Sequence, residues 1–425
     1  MNILLIGSGG REHAFAEQLS KSSHCSQLYI MPGNAGTAQL GKNITINPND
    51  FPAVAEFCIS HDIKLLVVGP EEPLVRGIRD YFEADEKLAQ IAFVGPGQAG
   101  AIMEGSKDWS KAFMLKYGVP TAAYQTFTAE TITDGIEYVK KHSLPVVLKA
   151  DGLAAGKGVL ICQTYVEAVE ELSAMIANKK FGDASKKVVI EEFMNGIECS
   201  VFVLMDGNHY VILPVAKDYK RIGEGETGLN TGGMGAISPV PFADDVFMQK
   251  VKERIVEPTV FGLNQEGISY KGFVFVGLMA VNNEPFVIEY NCRMGDPETE
   301  AVLPRIQNDF VELMMATSNG NLNEVELIID PRAAATIMLV SKGYPEDYEK
   351  GFVMSNFEEA SGSKLYHAGT KISENNEILS NGGRVLAITS LADTIQEAVK
   401  ISRENAEKIE FKNKYYRRDI GFEFM

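Results

Sequence analysis

Lys149-Ala150-Asp151-Gly152-Leu153-Ala154-Ala155-Gly156-Lys157-Gly158 combines two lysines with a run of glycines and other small residues. It is not a Walker loop. The glycines at 152 and 156 are too close, and Gly158 stands where a magnesium-holding serine or threonine would be needed. The run lies between two apolar segments, so it reads as a hairpin. Glycines let backbone N–H groups approach a terminal phosphate. Lys149, emerging from a strand, supplies a point charge for the same anion. Glu289-Tyr290-Asn291 ends another apolar run. Residues two apart on a strand share a face, so Glu289 and Asn291 offer two hard oxygen ligands to one Mg²⁺. Arg293 lies on that face again and can neutralise developing phosphoryl charge.

Three further groups belong beside these. Gly7-Ser8-Gly9-Gly10-Arg11-Glu12 follows a strand and opens a helix, which places backbone donors and the Arg11 fork at an anion site. Glu12 stands at the third glycine position of a dinucleotide fingerprint, which disfavours a nicotinamide cofactor. Lys217-Asp218-Tyr219-Lys220-Arg221 lies close to the glycine-rich Asn230-Thr231-Gly232-Gly233-Met234-Gly235, a basic cluster suited to a second anionic ligand. Glu191-Glu192-Phe193 and Glu198 offer a strand edge for an adenine and a carboxylate for ribose hydroxyls. Each motif alone also fits a plain turn, hairpin or solvated loop. Together they point to one site for a triphosphate, a divalent cation and a second anionic ligand.

The elements that must position these residues follow from the pattern. Apolar runs at Ile3–Ile6, Leu28–Met31, Leu65–Val68 and Ala92–Val94 each end in a glycine- or proline-rich loop. Helical stretches between them predict a parallel sheet covered on both faces. Its first three loops should share one crevice. Val146–Lys149, Val159–Ile161 and Val188–Glu191 read as strands of a small α+β insertion, with a helix over Glu167–Ala177. Longer strands are predicted at Cys199–Met205, Phe273–Val281 and Pro285–Tyr290, then a strand-rich tail from Ala333 with a helix over Thr394–Ile409.

The chain has 425 residues, more than the ~250–300 that one core supports, so several domains are expected. The charge balance of 40 basic against 57 acidic residues gives −17, which disfavours nucleic acid and anionic membranes as partners. The five cysteines are scattered and lack a C-x-x-C, as in a reducing compartment. No apolar run approaches the ~20 residues of a membrane span. A cytoplasmic location is expected.

In this order the motifs resemble those of the ATP-grasp enzymes and, more narrowly, the glycinamide ribonucleotide synthetase family. The resemblance rests on Gly7–Ala14, Pro32–Thr37, Val68–Glu71, Gly105–Lys107, Lys149–Gly158, Glu191–Phe193, Asn230–Ala236, Glu289–Thr299 and His367–Thr370, and spans essentially the whole chain. It implies an α/β multidomain fold. A doubly wound N-terminal domain (1–104) precedes an ATP-grasp domain (105–328) with a lid at about 121–193, and a small β-rich domain (329–425) follows. It implies ligation of glycine to 5-phosphoribosylamine through a glycyl phosphate in purine synthesis, with ATP and Mg²⁺, or Mn²⁺, and a monomeric chain. Lys107, Lys149 and Lys157 would approach the ATP phosphates, and Glu191, the Phe193 backbone and Glu198 would hold the adenosine. Glu289 and Asn291 would hold the metal, and Arg293 with Lys149 would be catalytic. Asp218, Lys220, Arg221, Asn230, Asp296 and Pro297 would line the substrate pocket, faced by Gly10, Arg11, Asn34, Gly36 and Glu71. Tyr219 and Leu229 depart from the family's histidine and proline. Gly277 stands where many ATP-grasp enzymes have a second acidic ligand, which implies more coordination by phosphate and water. Another ATP-grasp carboxylate–amine ligase and a non-catalytic nucleotide-binding regulator are the competing readings.

Overall fold

Short, fully apolar strands bounded by glycine need cover on both faces, and the N-terminal region supplies it. The computed structural model describes residues 1–153 and 158–425. Asn2–Gly7 is the central strand, with Gln27–Pro32 and Ile63–Val68 parallel to it on opposite sides. Lys42–Asn43 and Ala92–Val94 complete the sheet. Ile3, Leu4, Leu5 and Ile6 are all buried. The winding reverses at the central strand, so the three following loops meet at one edge. Gly33 N–H donates to the Gly7 carbonyl and Gly69 N–H to the Ile6 carbonyl, each at 3.0 Å.

The insertion is a four-stranded antiparallel sheet in the order Tyr124–Thr128, Lys187–Glu192, Val146–Ala150, Val159–Cys162. Helices Ile132–Lys141 and Tyr165–Ile176 cover it around Phe127, Leu148 and Leu172. The Tyr124–Thr128 strand was not expected, because only Phe127 of its five residues is buried. Lys157 lies outside the described residues.

The central sheet orders Tyr210–Ile212, Ile197–Asp206, Lys271–Val281 and Glu284–Asn291. Its last ladder shifts register between Gly277 and Leu278, which face Glu289 and Val287. That leaves Ile288 as an extra residue, a bulge that turns the strand end toward the cleft. The C-terminal sheet contains Ala333–Ser341, Arg384–Ala392 and Lys364–His367, backed by helix Ile395–Lys408. Lys217–Asp218 and Gly235–Ser238 extend it, so this sheet crosses the boundary expected at 328/329. Both segments are too short and too rich in small or polar residues to read as strands.

Candidate active site

A cleft of about 1140 Å³ opens where these layers meet. At the end lined by the insertion, strand alternation sends Lys149 and Glu191 inward from adjacent strands. Lys149 Nζ lies 2.9 Å from Glu191 Oε2 and donates to the Ile288 carbonyl at 3.2 Å. That carbonyl belongs to the residue the bulge leaves over. Lys111 Nζ reaches the same Glu191 oxygen at 3.1 Å and donates to Thr121 Oγ1 at 2.7 Å. Burial pulls the Lys111 ammonium down to about 8, with Lys149 adding repulsion against the pull of Glu191. Glu191 Oε1 is buried with no hydrogen-bond partner among the described residues. Lys107 begins the helix Lys107–Lys116, one turn before Lys111 on the same face. The helix start is tied to the hairpin root: Asp108 N–H donates to Asp151 Oδ1 at 2.7 Å and Ser106 Oγ to the same oxygen at 3.0 Å. Lys107 Nζ then lies 3.4 Å from the Gly152 carbonyl. Phe193 and Glu198 line the same cleft, and Glu198 pairs with Lys220 at 2.6 Å.

Glu289, Asn291 and Arg293 follow one another along the strand end. Burial raises the Glu289 carboxyl, but Lys220, Lys149, Lys107 and Arg293 outweigh it and hold the group below its usual range. Glu289 therefore stays ionised, and it has no ion pair among the described residues. Asn291 Oδ1 is 3.4 Å from Arg293 Nη2. An ionised carboxylate and an amide oxygen two residues apart fit a cation that completes its shell with phosphate and water. Arg293 is fixed by Glu104 at 2.7 Å and Glu71 at 3.3 Å. Glu104 also accepts from Cys292 N–H at 2.9 Å, so one buried acid orients the whole turn.

At the other end of the cleft, a smaller cavity of about 360 Å³ lies under Ser8, Gly9, Asn34, Asp296, Gly369 and Arg384. Several expected residues shape this region without presenting free groups. The Asn34 amide is spent on the Ser8 and His367 carbonyls, at 2.9 and 2.7 Å, while its oxygen accepts from Gly36 and Thr37 N–H. Gly36 allows close packing, since a Cβ there would sit 2.2 Å from His13 Cε1. Gly10 does the same for Glu300 Oε1, also at 2.2 Å. Pro297 packs under Gly233. The Arg11 fork, expected to be free for an anion, holds Glu12 at 2.6 Å and the Met294 carbonyl at 3.0 Å. Arg221 donates to the Gly228 carbonyl at 2.8 Å within its hairpin, facing Asn230 across the ladder. Asp218, Lys220, Arg221, Asn230, Asp296, Glu71 and Arg11 do line the main cleft; Gly10, Asn34, Gly36 and Pro297 do not.

Sequence reasoning missed Lys111, Glu104, Arg384 and Tyr344. The four-residue spacing of Lys107 and Lys111 was a usable signal. Arg384 carried none, since it comes from the distant C-terminal sheet. It donates to the Gly232 and Asp296 carbonyls at 2.7 and 2.6 Å, and pairs with Asp296 Oδ1 at 3.0 Å. Tyr344 OH accepts from Gly232 N–H at 2.9 Å. The C-terminal domain thus clamps both loops at this end of the cleft.

Comparison with known proteins matches this arrangement along the chain. Residues 1–104, 105–299 and 334–423 match the N, ATP-grasp (A) and C domains of phosphoribosylglycinamide synthetase. The phosphoribosylamine–glycine ligase of Yersinia pestis is 43% identical over 99% of this chain and 98% of its own length. That of Escherichia coli K12 is 42% identical with the same coverage. The crystal structure of the Thermotoga maritima phosphoribosylamine–glycine ligase superposes with a TM-score of 0.84 at 34% identity, covering 99% of this chain and 100% of the other. The biotin carboxylase domain of a Hydrogenobacter thermophilus 2-oxoglutarate carboxylase, at TM-score 0.71 and 16% identity, covering 99% of this chain and 92% of the other, shares the fold.

Proposed function

The chain belongs to the phosphoribosylglycinamide synthetase family, and from that premise we propose that it joins glycine to 5-phosphoribosylamine at the expense of ATP. The products are glycinamide ribonucleotide, ADP and phosphate, a step of purine synthesis. The observation that carries this reading is the convergence of Lys107, Lys149, Glu289, Asn291 and Arg293 on one cleft, with a second cavity adjoining it. A nucleotide-binding regulator needs no such second cavity at the far end of the cleft.

A carboxylate is a poor electrophile, because attack on it must expel an oxide-like group. Transfer of the γ-phosphoryl group to glycine replaces that group by phosphate. Little covalent chemistry is asked of the protein in such a transfer; positioning and charge stabilisation dominate. Lys149 and Lys107 face the phosphate region, and Arg293, held rigid by Glu71 and Glu104, faces the transferring group. Glu289 and Asn291 would hold a divalent cation, Mg²⁺ or Mn²⁺, which supplies Lewis-acid stabilisation of phosphate oxygens. The phosphoribosylamine nitrogen then attacks the glycyl carbonyl: the C–N bond forms, the C–O bond breaks, and phosphate leaves with the bonding pair. No helix among the described residues is long and apolar enough to cross a membrane.

An assay of ADP release with each substrate omitted in turn tests the reading. ADP should form only with both glycine and phosphoribosylamine present. Release of AMP and pyrophosphate, or ADP formation with a different carboxylate alone, would contradict it.

A further inference from the structure

Glu300 is fully buried, and the side chain of Asp296 beside it is only 12% exposed. Taken as two carboxylates, the pair leaves three buried oxygens without a hydrogen-bond partner among the described residues: Asp296 Oδ1, Glu300 Oε1 and Glu300 Oε2. Yet the two side chains lie within hydrogen-bonding reach of each other. The cation at hand belongs to Asp296: Arg384 Nη2 stands 3.0 Å from Asp296 Oδ1, while Glu300 has no ion pair among the described residues. Two ionised carboxylates in one buried place repel; a single proton between them supplies the missing donor.

The surrounding elements bring Glu300 no other partner. Helix Glu298–Val302 packs on helix Gly10–Lys21 and on strands Gly235–Ser238, Ala333–Ser341 and Arg384–Ala392. The first two of these strands hold no titratable residue. In the helix, the Arg11 guanidinium holds Glu12, its N–H donates to Asp296 Oδ2 at 3.3 Å, and His13 accepts from His367 N–H. Arg305, in the next turn, donates to Ser238 Oγ and the Arg332 carbonyl. Tyr366 gives its hydroxyl to Glu17, and Glu298 adds only further negative charge. Burial first, then the Asp296 charge, push the Glu300 carboxyl well above its usual range. Burial acts on Asp296 too, but Arg384 and Arg11 outweigh it and keep that group ionised. The glycines of the first loop close over both acids. A Cβ at Gly10 would sit 2.2 Å from Glu300 Oε1, and one at Gly9 3.0 Å from Asp296 Oδ2.

Asp296 and Arg384, with Ser8 and Gly9, border both the small cavity and the main cleft, so they form the wall between the two spaces. Glu300 lines neither space. Resting on the ligase reading for the ligand involved, we propose that Asp296 and Glu300 share one proton, and that Glu300 is thereby the positioning residue that sets the Asp296–Arg384 wall for phosphoribosylamine. A neutral Glu300 donates to Asp296 and holds that carboxylate in one orientation, between Arg384 and the Arg11 N–H. Ionised together, the acids would push Asp296 off both.

Full chains with Glu300→Gln and Glu300→Met test the two parts of the proposal. Gln keeps a donor and cannot ionise; Met keeps the bulk and has neither property. An unfolded glutamate ionises at about 4.3, whereas the folded Glu300 stays protonated. Its contribution to parent stability is therefore complete below that pH and is lost as pH rises through the folded value. Glu300→Gln lacks this dependence, and the other groups cancel in the comparison. From about pH 5 upward, the folding constant of Glu300→Gln relative to the parent should climb about tenfold per pH unit, read by denaturant unfolding, until the folded group ionises. A ratio independent of pH would overturn the shared proton, and Glu300→Gln decides this even where Glu300→Met does not fold. In initial rates, Glu300→Met should raise the KM for phosphoribosylamine roughly 10-fold, the worth of one hydrogen bond to a charged group. The KM for ATP and for glycine should hold, and Glu300→Gln should restore the parent value. An unchanged KM in Glu300→Met, an equal rise for all three substrates, or no rescue by Gln would overturn the positioning role. Absence of ADP release from the parent with glycine and phosphoribosylamine would instead overturn the ligase reading, and would leave the folding comparison as it stands.

Discussion

Lys149 holds its place through the Glu191 carboxylate and the Ile288 carbonyl, both inside the protein, so its ammonium is fixed before a ligand arrives. Such a preorganised charge is worth most where it meets developing phosphoryl charge. Lys149→Ala should lower turnover by roughly 10²–10³. The fold should survive, since Lys111 still partners Glu191. Turnover within a small factor of the parent would give Lys149 a structural role. For Glu289→Gln the expected effect is on the divalent cation: the Mg²⁺ concentration for half-maximal rate should rise while the adenosine contacts stay. A Mg²⁺ titration at fixed ATP reads this, and an unshifted curve would move the metal elsewhere. Arg11 shows how a residue type can mislead. Its position at a glycine-rich helix start reads as anion recognition, yet its guanidinium is buried against Glu12 and the Met294 carbonyl. Arg11→Ala would leave Glu12 unpaired in the interior. The loss of stability should be about 3 kcal/mol, the usual cost of breaking a buried pair, read by denaturant unfolding.

At the scale of elements, the strand ends and loops that carry the chemistry were legible because apolar runs stop at glycines beside charged residues. The three N-terminal loops, the paired strands Val146–Ala150 and Val159–Cys162 and the Glu289–Arg293 strand end all stand where the pattern put them. What stayed hidden was short or distant. Gly235–Ser238 lacks any alternation, and Tyr124–Thr128 is mostly polar; tertiary pairing alone makes them strands. The bulge that leaves the Ile288 carbonyl for Lys149 leaves no mark in the sequence either. Gly36 tests how tightly such elements meet. Its backbone is right-handed and unstrained, so a methyl group costs only the contact with His13 and His367. Gly36→Ala should destabilise the chain by about 1–3 kcal/mol through overpacking. It should also raise the phosphoribosylamine KM more than that for ATP, because the loop borders the small cavity. A neutral substitution would show that this junction is loosely packed.

The whole molecule closes its N-terminal and C-terminal domains over a buried histidine pair. His367 N–H donates to His13 Nδ1 at 2.7 Å, and the two rings lie 5.6 Å apart. Burial holds His13 down at about 4 and His367 at about 3. Both are neutral when folded and free to charge at about 6.5 when unfolded. At these two rings the unfolded state therefore binds more protons below that pH, and their contribution to stability falls with acid. The contribution is complete above about pH 6.5 and is lost as pH drops toward 4, by up to ~1.4 kcal/mol per pH unit for each ring. Between pH 6.5 and 5 the Glu298 carboxyl, raised by burial to about 7, pulls the other way. The histidine share is therefore read by comparing unfolding midpoints of the parent with a histidine variant over that window. His367→Phe should flatten the slope; an equal slope would place the acid sensitivity elsewhere.

The chemistry proposed for the cleft rests on transfer of phosphate to the glycine carboxylate before the amide forms. Glycine labelled with ¹⁸O in both carboxylate oxygens separates this from every route that sends the departing oxygen anywhere but to phosphate. Mass analysis of the phosphate released per turnover should find one labelled oxygen, the other remaining in the amide. Unlabelled phosphate, with the departing labelled oxygen found in water or in AMP, would contradict the acyl-phosphate route.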